Sequence, residues 1–411
     1  MTGDVQEAPG PVPTTPTPGT CPACSALPLR TLVEFDAPIH TSVLLDSRSA
    51  AQEYPRGTIR LELCERCGFI TNTAFDAPHH DYSASYEETQ AFSPRFLSYA
   101  TGLAATLTDR HDLAGRDVLE IGCGRADFLA LLCEATGGAG VGIDPSWKGD
   151  LPDRAGSERV RVIRSFFAPD QVDRSFGLVA CRHTLEHVHD VNGFLTSLSR
   201  ALEPYPDTPV VFEVPDTLRI LRESAFWDVF YEHCSYFTPG SMARAFRRGG
   251  FGPERVELTF DDQYILLTAL PAGSVGAAAT ALHMEEPPGE VLAAAERFVR
   301  DVDRSREAWT ERLRALHRAG RRAVIWGAGS KAVGFLSAIG LDQEIACLVD
   351  VNPAKHGMFL PGTGHEIIAP EQVPDVQPEV VIVMNPAYRD EITASIRALG
   401  LDAQIEVLDG R

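Results

Sequence analysis

Two short stretches concentrate the side chains able to move a proton. Cys181-Arg-His-Thr-Leu-Glu-His-Val-His-Asp190 carries three histidines and a glutamate, and Phe226-Trp-Asp-Val-Phe-Tyr-Glu-His-Cys-Ser-Tyr-Phe237 adds Tyr231, Glu232 and His233. Imidazole titrates near neutrality, and a neighbouring carboxylate can orient the ring. Such a pocket suits removal of a proton from a carbon acid, for instance a C–H beside a ketone. His233 and His187 are the candidates for that work. His183 and His189 read equally well as structural or surface residues.

A ligand cradle is legible in Asp117-Val-Leu-Glu-Ile-Gly-Cys-Gly-Arg-Ala-Asp127, a strand running through a glycine turn into a helix. Gly122 and Gly124 let the backbone turn sharply and approach a ligand. A dinucleotide fingerprint wants a small residue at position 127. Asp127 stands there, and its carboxylate would repel a pyrophosphate. S-adenosylmethionine (SAM) has no phosphate and carries an amino group and a sulfonium, so acidic surroundings suit it. Glu120 can order the loop or meet the amino-acid part, and Asp144, twenty residues after Gly124, is placed to accept from both ribose hydroxyls. Ser165 and Phe166, after the third strand, fall where an adenine would pack. Cys181 completes the candidate cofactor set at the end of the fourth strand.

Cys21-Pro-Ala-Cys24 and Cys64-Glu-Arg-Cys67 are two chelating knuckles. Four thiolates make the closed tetrahedral set of a structural Zn²⁺. The 39 residues between the pairs must fold as a small β-rich module. A redox CxxC would open a helix in a thioredoxin-like βαβ setting, which is missing here. A closed set has no open position, so the ion is assigned no catalytic role.

These groups need elements to hold them. Residues 1–20, rich in Pro, Thr and Gly, read as a disordered tail, and 21–88 as the zinc module, with strand-like alternation at Leu29–Val33 and Ile59–Leu63. From 89 to 272 the pattern becomes strand, turn, helix, repeated, with strands at Asp117–Ile121, Gly140–Ile143, Val160–Ile163, Leu178–Cys181, Val210–Val214 and Ile265–Leu270. That alternation implies a doubly wound, mostly parallel α/β sheet; with the SAM cradle, the class I SAM-methyltransferase type is expected. Residues 273–318 carry Leu292, Phe298, Val302, Trp309, Leu313 and Leu316 at helical spacing and read as a helical connection. A Rossmann-like lobe follows at 319–411, with strands at Ala323–Trp326, Ile345–Val349, Val380–Val383 and Ile405–Leu408.

That lobe has its own glycine turn, Trp326-Gly-Ala-Gly-Ser-Lys-Ala332, followed by Asp350 21 residues after Gly329. By spacing alone it fits a dinucleotide better than the first turn does. Lys331, beside a helix N-terminus, is a candidate diphosphate contact, and Asn385 at a strand end is a candidate to line the same cleft.

Composition narrows the field. The formal charge is -20 over 411 residues, which repels nucleic-acid backbones and anionic membranes. No apolar run spans a bilayer and no signal peptide opens the chain. Nine cysteines in an untargeted chain point to a reducing, cytoplasmic location. Monomer is the default expectation.

The two CxxC pairs, Glu120-Ile-Gly-Cys-Gly124, the aromatic-acid-His stretch with Ser235-Tyr236-Phe237, and Trp326-Gly-Ala-Gly-Ser-Lys331 with Asn385-Pro386 together resemble the sugar C-methyltransferases of deoxysugar biosynthesis. The resemblance covers nearly the whole chain from Cys21. It implies SAM-dependent methylation on carbon of a nucleotide-linked, dTDP-type, keto-deoxysugar, with the C-terminal lobe holding the sugar nucleotide. It further implies that His233 is the general base with Glu232 as its partner, that His187 assists, and that a tyrosine, Tyr82 or Tyr86, reaches the site. The family stretch often reads Tyr-His-Glu-His; here Phe230 replaces its first tyrosine, with Tyr231 beside it. Phe230 and Tyr231 are therefore expected at the substrate. Three alternatives stay open: an O- or N-methyltransferase of another small metabolite, a zinc-ribbon binding protein, and an NAD-dependent redox enzyme using the second lobe.

Overall fold

The computed structural model describes residues 19–76, 89–272 and 281–408. The expected N-terminal tail lies almost wholly outside the described residues, and so do Tyr82 and Tyr86.

The N-terminal part is built on β1 (Arg30–Pro38), α1 (Arg48–Gln52), β2 (Arg56–Leu63) and β3 (Ile70–Asn72). Alternation in β2 buries Ile59, Leu61 and Leu63 on one face while Arg60 and Glu62 point outward, the period of a half-buried strand. The central part runs α2 (Pro94–Arg110), β4 (Val118–Ile121), α3 (Asp127–Thr136), β5 (Gly140–Ile143), β6 (Val160–Ile163), β7 (Leu178–Arg182), α4 (Val191–Ala201), β8 (Val210–Pro215), α5 (Thr217–Glu223), β9 (Ser235–Tyr236), α6 (Pro239–Arg248), β10 (Phe251–Thr259) and β11 (Tyr264–Pro271). Its sheet has the order β10-β11-β8-β7-β4-β5-β6, with β6 to β8 parallel and β11 antiparallel to β8. Strand order reverses beside β4, so β4 and β7 open a crevice at their carboxyl ends. β10 carries no strand pattern in the sequence, because the centre of this edge strand is exposed and charged.

Helix starts follow local chemistry. Ser93 caps α2 by accepting from the Phe96 amide, and Thr238 caps α6 through the Ser241 amide, each replacing a hydrogen bond that the first helical turn lacks. The helical connection is one 31-residue helix, α7 (Pro288–Arg318). Then come β12 (Ala323–Trp326), α8 (Ser330–Ile339), β13 (Leu348–Val349), β14 (Ile367–Ile368), α9 (Val373–Val376), β15 (Val380–Val383), α10 (Arg389–Ala398) and β16 (Gln404–Val407), making an all-parallel sheet ordered β14-β13-β12-β15-β16.

The three parts interlock. β9, from the central part, pairs antiparallel with β3 and completes the N-terminal sheet. One core runs from Ile59 and Leu61 through Trp227 and the α7 residues Phe298 and Trp309 to Phe335 of the C-terminal lobe. Phe335 stacks on Phe226 at 5.9 Å and meets Trp309 edge-on at 5.5 Å. Burying rings of that size stabilises by about 2–3 kcal/mol each. The segment between α5 and β9 is thus clamped by all three parts.

Candidate active site

His187 and His233 arrive on different elements and are laced together by the residues beside them. The loop after β7 passes through a short turn, Leu185–His187. The Cys234 thiol donates to the Glu186 carbonyl at 3.7 Å, and the Ser235 hydroxyl to the Val188 carbonyl at 2.7 Å. On its other side the Cys234 carbonyl accepts from the Asn72 amide and the Thr71 hydroxyl. Held from both sides, His233 presents its ring to His187 with centroids 4.8 Å apart and planes at 89°. One polar atom from each of Glu186, His187 and His233 lies within 4.8 Å of the others.

Phe230 and Tyr236 complete the wall around His233, at ring separations of 4.9 and 6.2 Å. The Tyr236 hydroxyl is occupied by the Phe230 backbone, accepting from its amide and donating to its carbonyl, each at 3.0 Å. Burial holds His233 below the usual imidazole range, opposed by the charges of Glu186 and Asp228 and reinforced by those of His183 and Lys331. A depressed value leaves the ring neutral at physiological pH, the state that accepts a proton.

Tyr231 departs from expectation, and Glu232 has partners in the N-terminal part. Tyr231 turns into the N-terminal part: its hydroxyl accepts from the Asp76 amide at 3.0 Å, and its ring fills the space a Cβ on Gly57 would need, 2.3 Å away. It is 2% exposed and does not share the His233 wall with Phe230, because the chain bends at Tyr231 and Glu232. Glu232 accepts from the Thr41 amide at 3.0 Å and from the Thr41 hydroxyl, which also meets the Ser330 hydroxyl at 2.7 Å. Its hydrogen bonds tie the three parts together, while the carboxylate acting most strongly on His233 is Glu186. Glu186 and His183 were legible only as members of a histidine-rich loop.

The glycine turn lies beside the same loop. Gly122 has φ +73°, and a Cβ there would fall 2.0 Å from the Thr184 hydroxyl oxygen, so that turn admits only glycine. The Asp144 carboxylate accepts from the Gly124 amide, the Ser146 amide and the Ser146 hydroxyl at 2.5–2.7 Å. It braces the turn and keeps lone pairs for a ribose. Glu120 is buried at the end of β4, pushed up to about 8 by that burial. Its Oε2 and the Trp147 indole N–H lack hydrogen-bond partners among the described residues. An orphaned buried carboxylate oxygen suits a cationic amino group, and the residues fit SAM. Ser165 accepts from the Gln171 side chain at 2.7 Å, and Phe166 stands 73% exposed while Phe167 packs inward. Cys181 departs from expectation: its side chain is fully buried in the sheet core and its thiol is pushed well above the ordinary range by burial. It is a packing residue, as the side alternation of β7 requires.

Cys21, Cys24, Cys64 and Cys67 converge, with sulfurs 3.7 Å apart for Cys21 and Cys67 and 3.5 Å for Cys24 and Cys64. Zn–S bonds of about 2.3 Å require sulfur separations of about 3.8 Å in a tetrahedron. The cluster is compatible with zinc.

Residues 93–255 match the family model described as a methyltransferase domain, and 278–402 the one described as a C-methyltransferase C-terminal domain. The C-methyltransferase NovU of Streptomyces niveus is 27% identical over 396 residues, covering 90% of each chain. The chain is a SAM-dependent methyltransferase similar to C-methyltransferases. Solved methyltransferases overlap less of it. One from Aquifex aeolicus is 17% identical, covering 44% of this chain and 95% of that chain, with a TM-score of 0.35. CalO1, a methyltransferase in calicheamicin biosynthesis, is 18% identical, covering 43% and 55%, with a TM-score of 0.33.

In this methyltransferase the C-terminal lobe uses two expected ligand contacts internally. Lys331 is paired with Asp228, which Arg219 also meets at 2.6 Å. Expected at a diphosphate, the ammonium instead neutralises a buried carboxylate beside the His233 wall. Asn385 accepts from the Gln263 side chain at 2.8 Å and from the Ala387 amide, and so fastens the lobe to the β10–β11 turn. The second glycine turn is likewise self-occupied. Asp350 accepts from the Ala328 and Asn352 amides, and Lys355 reaches Asp350 and the Ala328 carbonyl from a buried position. A carboxylate already neutralised by lysine is a poor receiver for a dinucleotide ribose.

Proposed function

We propose that this enzyme methylates the carbon next to the ketone of a nucleotide-linked, dTDP-type keto-deoxysugar, with His233 as general base. The observation carrying the reading is a single loop with two duties. Thr184 packs on the Gly122 turn, and two and three residues later the same loop delivers Glu186 and His187 to His233. Proton removal and methyl delivery are thereby brought side by side.

SAM supplies an electrophilic methyl group when bound. Gly122, Gly124, Glu120 and Asp144 hold it; Phe166 offers an exposed ring to the adenine. His233, neutral because it is buried, takes the proton from carbon. His187 steadies the developing enolate oxygen, with Tyr82 or Tyr86 as the further candidate that the family resemblance supplies. The four cysteines carry a structural Zn²⁺, and the C-terminal lobe covers the sugar nucleotide.

Phe230 favours a second reading. It puts a bare ring against His233 where the family often has a hydroxyl, which suits an oxygen or nitrogen acceptor of another small metabolite. Incubation in D₂O with dTDP-keto sugars and no SAM separates the two. A carbon acid takes up deuterium at the position later methylated, and His233→Ala abolishes both exchange and product while S-adenosylhomocysteine still binds. Methylation without exchange sinks the carbon reading.

A further inference from the structure

Behind the histidine pair runs a buried chain of charges that the proposed reaction leaves unused. Glu186 is 2% exposed, and its Oε2 has no hydrogen-bond partner among the described residues. Its Oε1 lies 3.8 Å from His183 Nδ1, and His183 Nε2 lies 2.9 Å from Glu213 Oε1. Fully buried Glu213 also receives an Arg182 N–H at 2.8 Å and the Tyr99 hydroxyl, which sits 2.9 Å from the Thr259 hydroxyl. His183 adopts φ +49°, a left-handed backbone that costs a non-glycine residue about 1 kcal/mol or more. That strain places one imidazole between two carboxylates.

We propose that Glu186 is the positioning carboxylate of the His233 base, held in register by the chain His183–Glu213–Arg182–Tyr99. The inference rests on His233 being the base. In a poorly polarisable site a new imidazolium needs an anion close by, and Glu186 has a carboxylate oxygen within 4.8 Å of His233. The groups acting on His233 are Glu186 and Asp228 on the anionic side and His183 and Lys331 on the cationic side. His187, Phe230 and Tyr236 form its ring contacts. Burial pulls His183 down, but Glu186 and Glu213 together raise it to about 9. It is an imidazolium at neutral pH and supplies the counter-charge that an isolated buried carboxylate would lack. Glu232 accepts from the Thr41 amide and hydroxyl.

The test is Glu186→Gln in the full-length enzyme, read two ways. First, the His233 ring is titrated by NMR in the free protein, where loss of the nearby anion moves its midpoint to lower pH. Second, turnover of a dTDP-keto sugar accepted by the wild type is followed against pH. kcat falls about 10- to 100-fold, the acid limb moves in the same direction, and S-adenosylhomocysteine affinity stays within about twofold. Glu186→Asp keeps the charge one methylene further away; it recovers part of both effects and serves as the test should the Gln variant not fold. An unmoved His233 midpoint, or kcat within about twofold of wild type, overturns the proposal. Failure of the underlying reading is separate: His233→Ala would retain exchange and turnover.

Discussion

Gly122→Ala isolates what the cofactor turn demands. At φ +73° an alanine costs about 1–2 kcal/mol from backbone sterics alone. Its Cβ would also meet Thr184 Oγ1 at 2.0 Å, Cγ2 at 2.5 Å and Cβ at 2.7 Å. Rotating the Thr184 hydroxyl away does not suffice, because two carbons remain inside contact distance. Moving the whole side chain breaks its hydrogen bond to the Arg182 carbonyl at 3.0 Å, worth about 1 kcal/mol, and overpacking adds about 1–3 kcal/mol. The expected loss is about 3–6 kcal/mol in urea unfolding. Calorimetry should show S-adenosylhomocysteine binding weakened at least about tenfold, the equivalent of about 1.4 kcal/mol. Thr184→Gly removes the clash but leaves φ untouched. In the double variant, Gly122→Ala should therefore cost only about 1–2 kcal/mol beyond Thr184→Gly. If the two substitutions add within about 0.5 kcal/mol, the steric argument fails.

Three further outcomes are expected. The protein should carry one zinc per chain by elemental analysis; Cys64→Ser should lose it and lower Tm by about 10 °C, since the cluster packs into the core beside Phe69 and Phe237. His183, raised from 6.5 to about 9, contributes stability that is fully present below about pH 6.5 and lost as pH rises through 9. Urea unfolding at the two ends of that window should differ by about 1–3 kcal/mol, and a flat profile, or one unchanged in His183→Gln, contradicts the pairing. Lys331→Ala leaves Asp228 to Arg219 alone and should cost about 2 kcal/mol of stability; a large rise in the KM for the sugar nucleotide with unchanged Tm would instead restore Lys331 as a diphosphate ligand.

Much of this architecture is written in local pattern. Four-residue apolar runs such as Gly140–Ile143 and Val380–Val383 coincide with strands residue for residue, because a strand buried on both faces admits little else. Paired cysteines announce a shared ligand, and Gly122 announces a backbone that no side chain could follow. β10 escaped because an edge strand with one wet face carries a mixed pattern.

The chemical constellation was less legible, and its residues show why. His187, Glu232, His233, Lys331 and Asn385 were visible as types able to bind or catalyse, but type does not set direction. Tyr231 and Phe230 are neighbours, yet one points at Asp76 and the other at His233. Lys331 is drawn to Asp228, 103 positions away, and Asn385 to Gln263, because a buried polar group takes whichever partner folding brings within reach. Sequence alone determined the strand order's raw material, the cysteine set and the glycine turns, all short-range matters of backbone and spacing. Only tertiary structure decided which carboxylate faces which histidine, since Coulomb and hydrogen-bond energies depend on separations in space that chain position does not encode.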